Sequence, residues 1–267
     1  MTDSDQAPSG AETTWTVDGR GVGRLTIARE AQRNALNEGV LTSLTRVFRE
    51  APEDPRVRAI VLTGAGDRAF CAGADLKGAR DAFAVDFARP KSAYAEMLRA
   101  GYACTLPIVG RIDGVCLAGG MGLLAICDLA IASDRAVFGL PEVKIGLFPM
   151  QVLSVLERLM PPRLFAELAF TGEPLAATDA RAAGLVNDVV PPAELDARVE
   201  RLVARLVDAS PAAQRRGKAA LRAIAGLPFE RALPYLETQI ATLALTDDAR
   251  EGRSAFLERR RPNWKLS

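Results

Sequence analysis

Two segments rich in glycine and alanine are candidates for binding a negative charge. They are residues 69–76 (AFCAGADL) and residues 113–125 (DGVCLAGGMGLLA). In the second, a predicted strand runs into Gly119 and Gly120, and an apolar stretch with helical spacing follows. Glycine lets the backbone approach a ligand closely, and the N-terminus of a helix offers free N–H groups with positive potential. Tight packing of the helix against a sheet would need the same glycines, so the segment alone leaves both interpretations open.

The absence of histidine limits the chemistry that the chain can perform. It excludes Ser-His-Asp and Cys-His nucleophilic catalysis and the usual zinc sites. Acid–base chemistry therefore falls mainly to carboxylates, lysine, tyrosine or cysteine. Glu142, directly after Pro141, is one such carboxylate, although a solvated turn residue would look the same. Lys144 could form an ion pair with it or lie on the surface.

A third glycine motif, residues 64–69 (GAGDRA), follows a predicted strand and matches the loose form of the dinucleotide-binding fingerprint. That fingerprint requires a helix that opens at the second glycine. Here Phe70-Cys71-Ala72-Gly73 follows, which is not a helical opening. The motif therefore predicts a plain turn.

Composition excludes several classes of protein. The 267 residues carry 34 basic and 33 acidic side chains, for a net charge of +1, which does not favour binding to nucleic acid or a membrane surface. No apolar run approaches the length of a membrane span. The four cysteines show no CxxC spacing, which predicts buried, reduced thiols and a cytoplasmic location. Residues 1–13 are polar without the apolar region of a signal peptide, which predicts a disordered tail.

The elements that must position these motifs alternate along the chain. Strands are predicted at 14–17 and 22–28 as a hairpin, and at 59–63, 108–111 and 129–132. Asn37 is predicted to cap a helix over 38–50, and residues 77–90 have no clear periodicity. This alternation predicts a largely parallel α/β core over 14–192. Residues 193–267 form a helical region with breaks at 210–211 and 226–228.

Taken together, these segments resemble the enoyl-CoA hydratase/isomerase (crotonase) superfamily over about residues 15–265. The resemblance implies a crotonase-like spiral of ββα units, with a C-terminal helical region that mediates oligomerisation as a homotrimer or a dimer of trimers. The matching segments, besides the two glycine-rich ones, lie at residues 33–37, 59–64, 125–130, 138–146, 170–172, 182–187 and 256–263.

The resemblance also implies a substrate and a site. The substrate is an acyl-coenzyme A thioester, so that coenzyme A enters as part of the substrate and no cofactor or metal is bound permanently. The backbone N–H groups of Ala74 and Gly119 would hold the thioester oxygen in an oxyanion hole. The candidate surface for coenzyme A consists of Arg33, Ala35, Ala72, Asp75, Leu76 and Lys77, among which Asp75 is expected to be structural. Arg33, Lys77 and the cations at 259–261 and 265 could meet the phosphates.

The reaction depends on the carboxylates around the bound thioester. Hydratases of the superfamily use two glutamates, and this chain has Glu142 at one position and Gly122 at the other. A single glutamate suffices for the enoyl-CoA isomerases, in which it moves a proton between C2 and C4. Met150 stands where the dienoyl-CoA isomerases carry an aspartate, and Gln151 beside it is a further polar candidate for the substrate pocket.

The sequence therefore favours a single-glutamate proton shuttle on Glu142, as in the isomerases. The alternatives are a hydratase (a lyase) that compensates for Gly122 with another polar group, and a relative that decarboxylates or cleaves an acyl-CoA. A non-catalytic acyl-CoA-binding protein is the alternative from a different class, because the second carboxylate is missing.

Overall fold

The computed structural model describes residues 12–76 and 92–264. It begins with the predicted hairpin, in which β1 (Thr13–Val17) pairs antiparallel with β2 (Val22–Ile27). The strand β1 starts inside the segment predicted as a tail, and the Glu12 carboxylate before it binds Arg29 at 2.9 Å and Asn37 at 2.6 Å. Residues 1–11 of that predicted tail lie outside the described residues.

The predicted spiral of ββα units is confirmed. In the first unit both strands belong to one sheet, whereas the pairs β3 and β4, β5 and β6, and β7 and β8 each place the first strand in one sheet and the second in the other. The six-stranded sheet has the order β1-β2-β3-β5-β7-β10, and the four-stranded sheet has the order β4-β6-β8-β9. The strands after the hairpin are β3 (Ala59–Gly64), β4 (Ala69–Cys71), β5 (Ile108–Ile112), β6 (Val115–Leu117), β7 (Leu129–Ser133), β8 (Val137–Gly139), β9 (Leu175–Ala176) and β10 (Asp188–Val190).

The large sheet is parallel from β2 onward, as the alternation of elements predicted. All six residues of β3 are buried, because helices cover both faces of the sheet. The helix α1 (Glu38–Glu50) has the predicted bounds, and the Asn37 side chain accepts a hydrogen bond from the Val40 N–H at 2.9 Å. The other helices of the core are α2 (Ala93–Ala103), α3 (Gly119–Ile126), α4 (Met150–Leu156), α5 (Pro162–Thr171) and α6 (Ala177–Ala182).

The C-terminal region is helical, with breaks at both predicted places and one more at residues 244–246, where Thr246 caps the last helix. Its helices are α7 (Pro192–Val207), α8 (Pro211–Ala223), α9 (Phe229–Leu243) and α10 (Asp247–Leu257). The helix α7 packs Leu195, Val199 and Val203 against the large sheet. The helix α9, by contrast, buries none of its residues. Among the described residues, no helix combines the length and apolar character that a membrane crossing requires.

Two smaller predictions are also confirmed. The four cysteines are free thiols; three of them are buried as predicted, and Cys127 is only partly buried. The GAGDRA motif is a turn between β3 and β4, and a strand rather than a helix follows it. A Cβ added to Gly64 would lie 2.3 Å from the Phe70 carbonyl oxygen, so this glycine serves close packing within the turn.

Candidate active site

The loop after β4 presents the first of the two predicted backbone donors. Gly73 has φ +96, a backbone conformation that favours glycine, and its carbonyl accepts from the Leu36 N–H at 2.8 Å. The Asp75 N–H returns a hydrogen bond to the Leu36 carbonyl at 2.9 Å. Ala74 lies between these two bonds, and its N–H has no acceptor among the described residues. The hydrogen bonds of Gly73 and Asp75 therefore fix the loop on either side of Ala74, whose N–H is left free on a partly exposed residue.

The start of α3 presents the second donor. Gly119 is the first residue of the helix, and its N–H also has no acceptor within the described parts of the chain. Ala118 before it has φ 50 and ψ −120, a strained conformation for a residue with a side chain. A Cβ on Gly120 would lie 2.3 Å from the Cys71 carbonyl oxygen. The glycines thus serve close packing of α3 on β4 as well as the presentation of Gly119.

The two donor segments lie against each other. A Cβ added to Gly73 would be 2.7 Å from the Ala118 Cβ and 3.3 Å from the Gly119 nitrogen. The residue next to Ala74 therefore borders the Gly119 N–H directly. Two free N–H groups on adjoining segments, one of them at a helix N-terminus, are an arrangement suited to an anion or a developing oxyanion.

Glu142 follows a strand that is hydrogen-bonded to the second donor segment. The Ala118 N–H donates to the Gly139 carbonyl at the end of β8 at 3.0 Å, and the chain then enters a 3-10 helix, Pro141–Ile145, that carries Glu142. The Glu142 Oε2 atom is buried and has no hydrogen-bond partner among the described residues. Burial raises the pKa of the Glu142 carboxyl above its ordinary value. This carboxylate is therefore a stronger base than a solvated one.

Lys144 does not take part in this arrangement. Its ammonium group forms an ion pair with Glu173 at 2.9 Å on the surface. Of the two possibilities that the sequence left open for Lys144, the ion pair with Glu142 is thus not formed, and the surface position is the correct one.

Tyr94, which the sequence analysis did not single out, lies beside Gly122. Gly122 is buried in α3, and a Cβ added to it would lie 2.0 Å from the hydroxyl oxygen of Tyr94. That hydroxyl donates to the Gly119 carbonyl at 2.8 Å. Tyrosine is among the residue types left for acid–base chemistry in a chain without histidine, but nothing in the sequence around Tyr94 connects it with Gly122. Only the packing of α2 against α3 brings them together.

Met150 and Gln151 begin α4. The Met150 side chain is largely exposed, and the Gln151 side-chain amide donates to the Ser92 hydroxyl at 2.7 Å. Ser92 in turn caps α2 by accepting from the Ala95 N–H at 3.1 Å. Gln151 therefore contacts the beginning of the helix that carries Tyr94.

The structure places most of the candidate residues for coenzyme A on two adjoining segments. The Ala72 N–H donates to the Arg33 carbonyl at 3.1 Å, and the Arg33 and Leu76 side chains are exposed. Asp75 forms a mostly buried ion pair with Arg29 at 2.8 Å, in agreement with its expected structural role.

The remaining candidates are already bonded, lie in the C-terminal tail or fall outside the described residues. The Arg29 guanidinium also donates to the Ala35 carbonyl at 2.7 Å, so this backbone group is already bonded. Arg260 in the tail pairs with Glu251 and Glu258. Lys77 and Lys265 lie outside the described residues. Within the described ranges, no group of three or more cysteine, aspartate and glutamate side chains is placed to hold a metal ion.

Comparison with known proteins adds independent findings. The family model described as enoyl-CoA hydratase/isomerase matches residues 18–267. The chain is 32% identical over 241 residues to a crotonyl-CoA hydratase of Syntrophomonas wolfei, covering 90% of this chain and 93% of the relative. It is 32% identical over 238 residues to a carnitinyl-CoA dehydratase of Escherichia coli K12, covering 87% and 90% respectively.

Solved structures agree with these relatives. An enoyl-CoA hydratase of Mycobacterium smegmatis matches with a TM-score of 0.87 and 35% identity, covering 95% of this chain and 98% of the other. An enoyl-CoA hydratase from Bacillus anthracis matches with a TM-score of 0.88 and 28% identity, covering 96% and 100%.

Proposed function

The chain belongs to the enoyl-CoA hydratase/isomerase family, and on that premise we propose that it is an acyl-CoA enzyme in which Glu142 alone moves the proton. The observation that carries the proposal is the Glu142 carboxylate, which is partly buried and has an oxygen without a partner in the described residues. An uncompensated buried carboxylate costs stability, and such groups concentrate at functional sites.

The proposed oxyanion hole consists of the Ala74 and Gly119 N–H groups. Removal of a proton next to a thioester carbonyl moves negative charge onto the carbonyl oxygen. Two preorganised donors aimed at that oxygen stabilise the charge as it develops, and the loss of one such donor typically costs about 3–4 kcal/mol. Backbone donors also leave room for the thioester, because Ala74 and Gly119 have small side chains or none.

Glu142 is proposed to be both base and acid. Its raised pKa makes it a better proton acceptor, and once protonated the same carboxyl can return the proton to a different carbon of the dienolate. A proton that leaves C2 and arrives at C4, or the reverse, shifts the double bond by one position. This is the reaction of an enoyl-CoA isomerase, and it requires no second carboxylate.

Hydration of a 2-enoyl-CoA is the second candidate. It is favoured by the names of the relatives, which are a hydratase and a dehydratase. Addition of water needs one group that activates the water and a proton for C2. In a hydratase, the Tyr94 hydroxyl beside Gly122 would be the second polar group, in addition to Glu142.

A substrate panel distinguishes these candidates. The purified protein is incubated with 2-enoyl-, 3-enoyl- and dicarboxylic acyl-CoAs, and products are identified by mass and by ultraviolet absorbance. We expect interconversion of 2-enoyl and 3-enoyl chains without a change in mass. A gain of one water would instead support the hydratase, and loss of carbon dioxide or of a chain fragment would support a third reaction type. Binding of a saturated acyl-CoA without any turnover would support a non-catalytic binder, and absence of binding would overturn the proposal.

We also propose that the C-terminal helices assemble the protein into a trimer or a dimer of trimers. The helix α9 is amphipathic but buries no residue within the chain, and Phe229, Leu233 and Ile240 are exposed on it. Exposed apolar residues on one helix are typical of a surface that another subunit covers. Sedimentation velocity should therefore show an oligomer. Ile240→Asp should shift it towards monomer, whereas the matched variant Thr238→Asp, at a polar position of α9, should not.

A further inference from the structure

Tyr94 touches the residue that supplies one of the proposed oxyanion donors. Its hydroxyl donates to the Gly119 carbonyl at 2.8 Å. Its ring carbons would lie 3.3 and 3.6 Å from a Cβ added to Gly119, so the ring packs against the Gly119 backbone. The hydrogen bond holds the peptide group that follows Gly119, and the ring packs beside its Cα. Both contacts limit rotation about the backbone bonds of Gly119, and so act indirectly on the direction of its N–H.

Tyr94 also fills the volume next to Gly122. A Cβ at that position would lie 2.0 Å from the phenol oxygen, 3.2 Å from the ring carbon that bears it and 3.3 Å from a methyl carbon of Leu98. The first distance is far below any contact between carbon and oxygen, and the other two are tight contacts that small shifts would relieve. A side chain at position 122 therefore requires the Tyr94 phenol to move.

We propose that Tyr94 is a positioning and specificity-determining residue: its hydroxyl holds the Gly119 carbonyl at the start of α3 and occupies the space that a side chain at position 122 would need, so that Glu142 acts alone. The inference rests on the proposed function, because it assigns a role within the same site.

The surroundings of Tyr94 are suited to this role. The Ser92 hydroxyl, held by the Gln151 amide at 2.7 Å, caps the helix turn on which Tyr94 stands. Burial, together with the nearby Cys71 and Glu142, raises the pKa of the Tyr94 phenol well above its ordinary value. The phenol therefore stays protonated and remains a donor to Gly119 across the working range of pH.

The first test removes only the hydroxyl. In Tyr94→Phe we expect kcat to fall about tenfold with little change in KM, because a hydrogen bond that orients the donor is lost while the ring remains. The matched control is Tyr102→Phe on the same helix, whose ring stacks on the Arg222 guanidinium at 4.7 Å, and it should behave like wild type. Unchanged kcat in Tyr94→Phe would overturn the positioning role.

A spectroscopic measurement separates positioning from a general loss of structure. The carbonyl stretch of a bound saturated acyl-CoA, isotopically labelled at the thioester, reports how strongly the oxyanion donors polarise the oxygen. We expect the shift to lower frequency to be smaller in Tyr94→Phe than in wild type and in Tyr102→Phe. An equal shift in all three proteins would contradict the inference.

The second test is a double-mutant cycle that needs no substrate. Gly122→Ala should lower the melting temperature of the wild type by about 5 °C, because the methyl group collides with the Tyr94 oxygen. The same substitution should cost much less in the Tyr94→Phe background, where that oxygen is absent. Equal costs in the two backgrounds would show that the hydroxyl does not fill this volume.

Failure of the proposed function is recognised separately. If the wild type neither turns over an acyl-CoA nor shifts the carbonyl band, the proposed oxyanion hole is wrong and Tyr94 has no donor to position. If the wild type does both while Tyr94→Phe matches it and the cycle is additive, the proposed function stands and the role of Tyr94 is wrong.

Discussion

The polar groups on the two flanks of the proposed site differ in whether they are hydrogen-bonded. On one flank the Glu142 carboxylate is partly buried, with an oxygen that has no partner within the described residues. On the other flank the Tyr94 hydroxyl donates to Gly119 and fills the space beside Gly122. An unpartnered buried polar atom lowers stability, whereas a bonded one adds to it. The difference agrees with the proposed roles, in which Glu142 moves the proton and Tyr94 positions the Gly119 segment.

This contrast has a consequence that can be measured. Substitution of the Glu142 carboxylate should damage turnover and improve stability. Removal of the Tyr94 hydroxyl should lower both turnover and stability, and its effect on turnover should be smaller than that of the Glu142 substitution. The largest effect on turnover is expected from removal of the proposed Gly119 donor.

Gly119→Pro should reduce turnover by about 10²–10³-fold or more, because one of the two proposed oxyanion donors is lost. Proline suits the first position of a helix, so α3 can still form, and circular dichroism would verify this. Gly119→Ala is the matched control, since it adds a Cβ against Leu36 and Tyr94 but keeps the N–H. A folded Gly119→Pro protein with wild-type turnover would remove this N–H from the mechanism.

Glu142→Gln should lower kcat by about 10²–10⁴-fold while the affinity for a saturated acyl-CoA changes little. The substitution keeps size and hydrogen bonding but removes the base, and ligand binding is assigned to backbone donors and other segments. Isothermal titration beside a kinetic assay separates the two quantities. Glu173→Gln, at the surface partner of Lys144, provides the control. If Glu142→Gln retains turnover, the single-glutamate mechanism is wrong.

The pH dependence of the same variant tests the burial of Glu142. Its pKa is raised above 4.5 in the folded protein, so ionisation favours the unfolded state as the pH rises past that value. We expect Glu142→Gln to melt at a higher temperature than wild type at pH 8, with the difference shrinking towards pH 4. The acid limb of kcat/KM in wild type should likewise lie above the range of an ordinary carboxyl. A stability difference that is the same at both pH values would contradict the conclusion that Glu142 carries a buried charge without a partner.

The smallest expected effect concerns the strain at Ala118. This residue has φ 50 at the start of α3, and glycine would adopt that conformation without steric cost. Ala118→Gly should raise the free energy of unfolding by about 1 kcal/mol, as relief of strain outweighs the greater freedom of the unfolded chain. Chemical denaturation measures this change. Destabilisation by the same amount would mean that the contact of the Ala118 methyl with Gly73 matters more than the backbone strain.

Much of the fold followed from local sequence patterns. The bounds of α1, the hairpin, the buried strands and the breaks near residues 210 and 226 agree with the structure, because periodicity and capping residues act within a few positions of each other. The extra break at 244–246 was not predicted, since apolar spacing continues across it. The superfamily and the spiral of ββα units were also predicted, from the joint order of motifs along the chain.

The site residues also divide into those that local motifs identified and those that depend on distant parts of the chain. Ala74, Gly119 and Glu142 were singled out by motifs within the sequence, and their roles remain proposals. The sequence did not predict which charged and polar groups pair with each other, as the ion pair of Lys144 with Glu173 illustrates. These partners lie tens of positions apart, and nothing local specifies which of them will meet.

The sequence by itself determined the helices, the strands, the family and the backbone segments that can present free N–H groups, because each depends on neighbouring residues. Only the tertiary structure decided what surrounds those groups. It placed Tyr94 over Gly122 and left an oxygen of Glu142 without a partner among the described residues. The physical reason is that close packing between α2 and α3 is decided at the scale of single atoms, and the phenol oxygen of Tyr94 lies where a side chain at position 122 would begin.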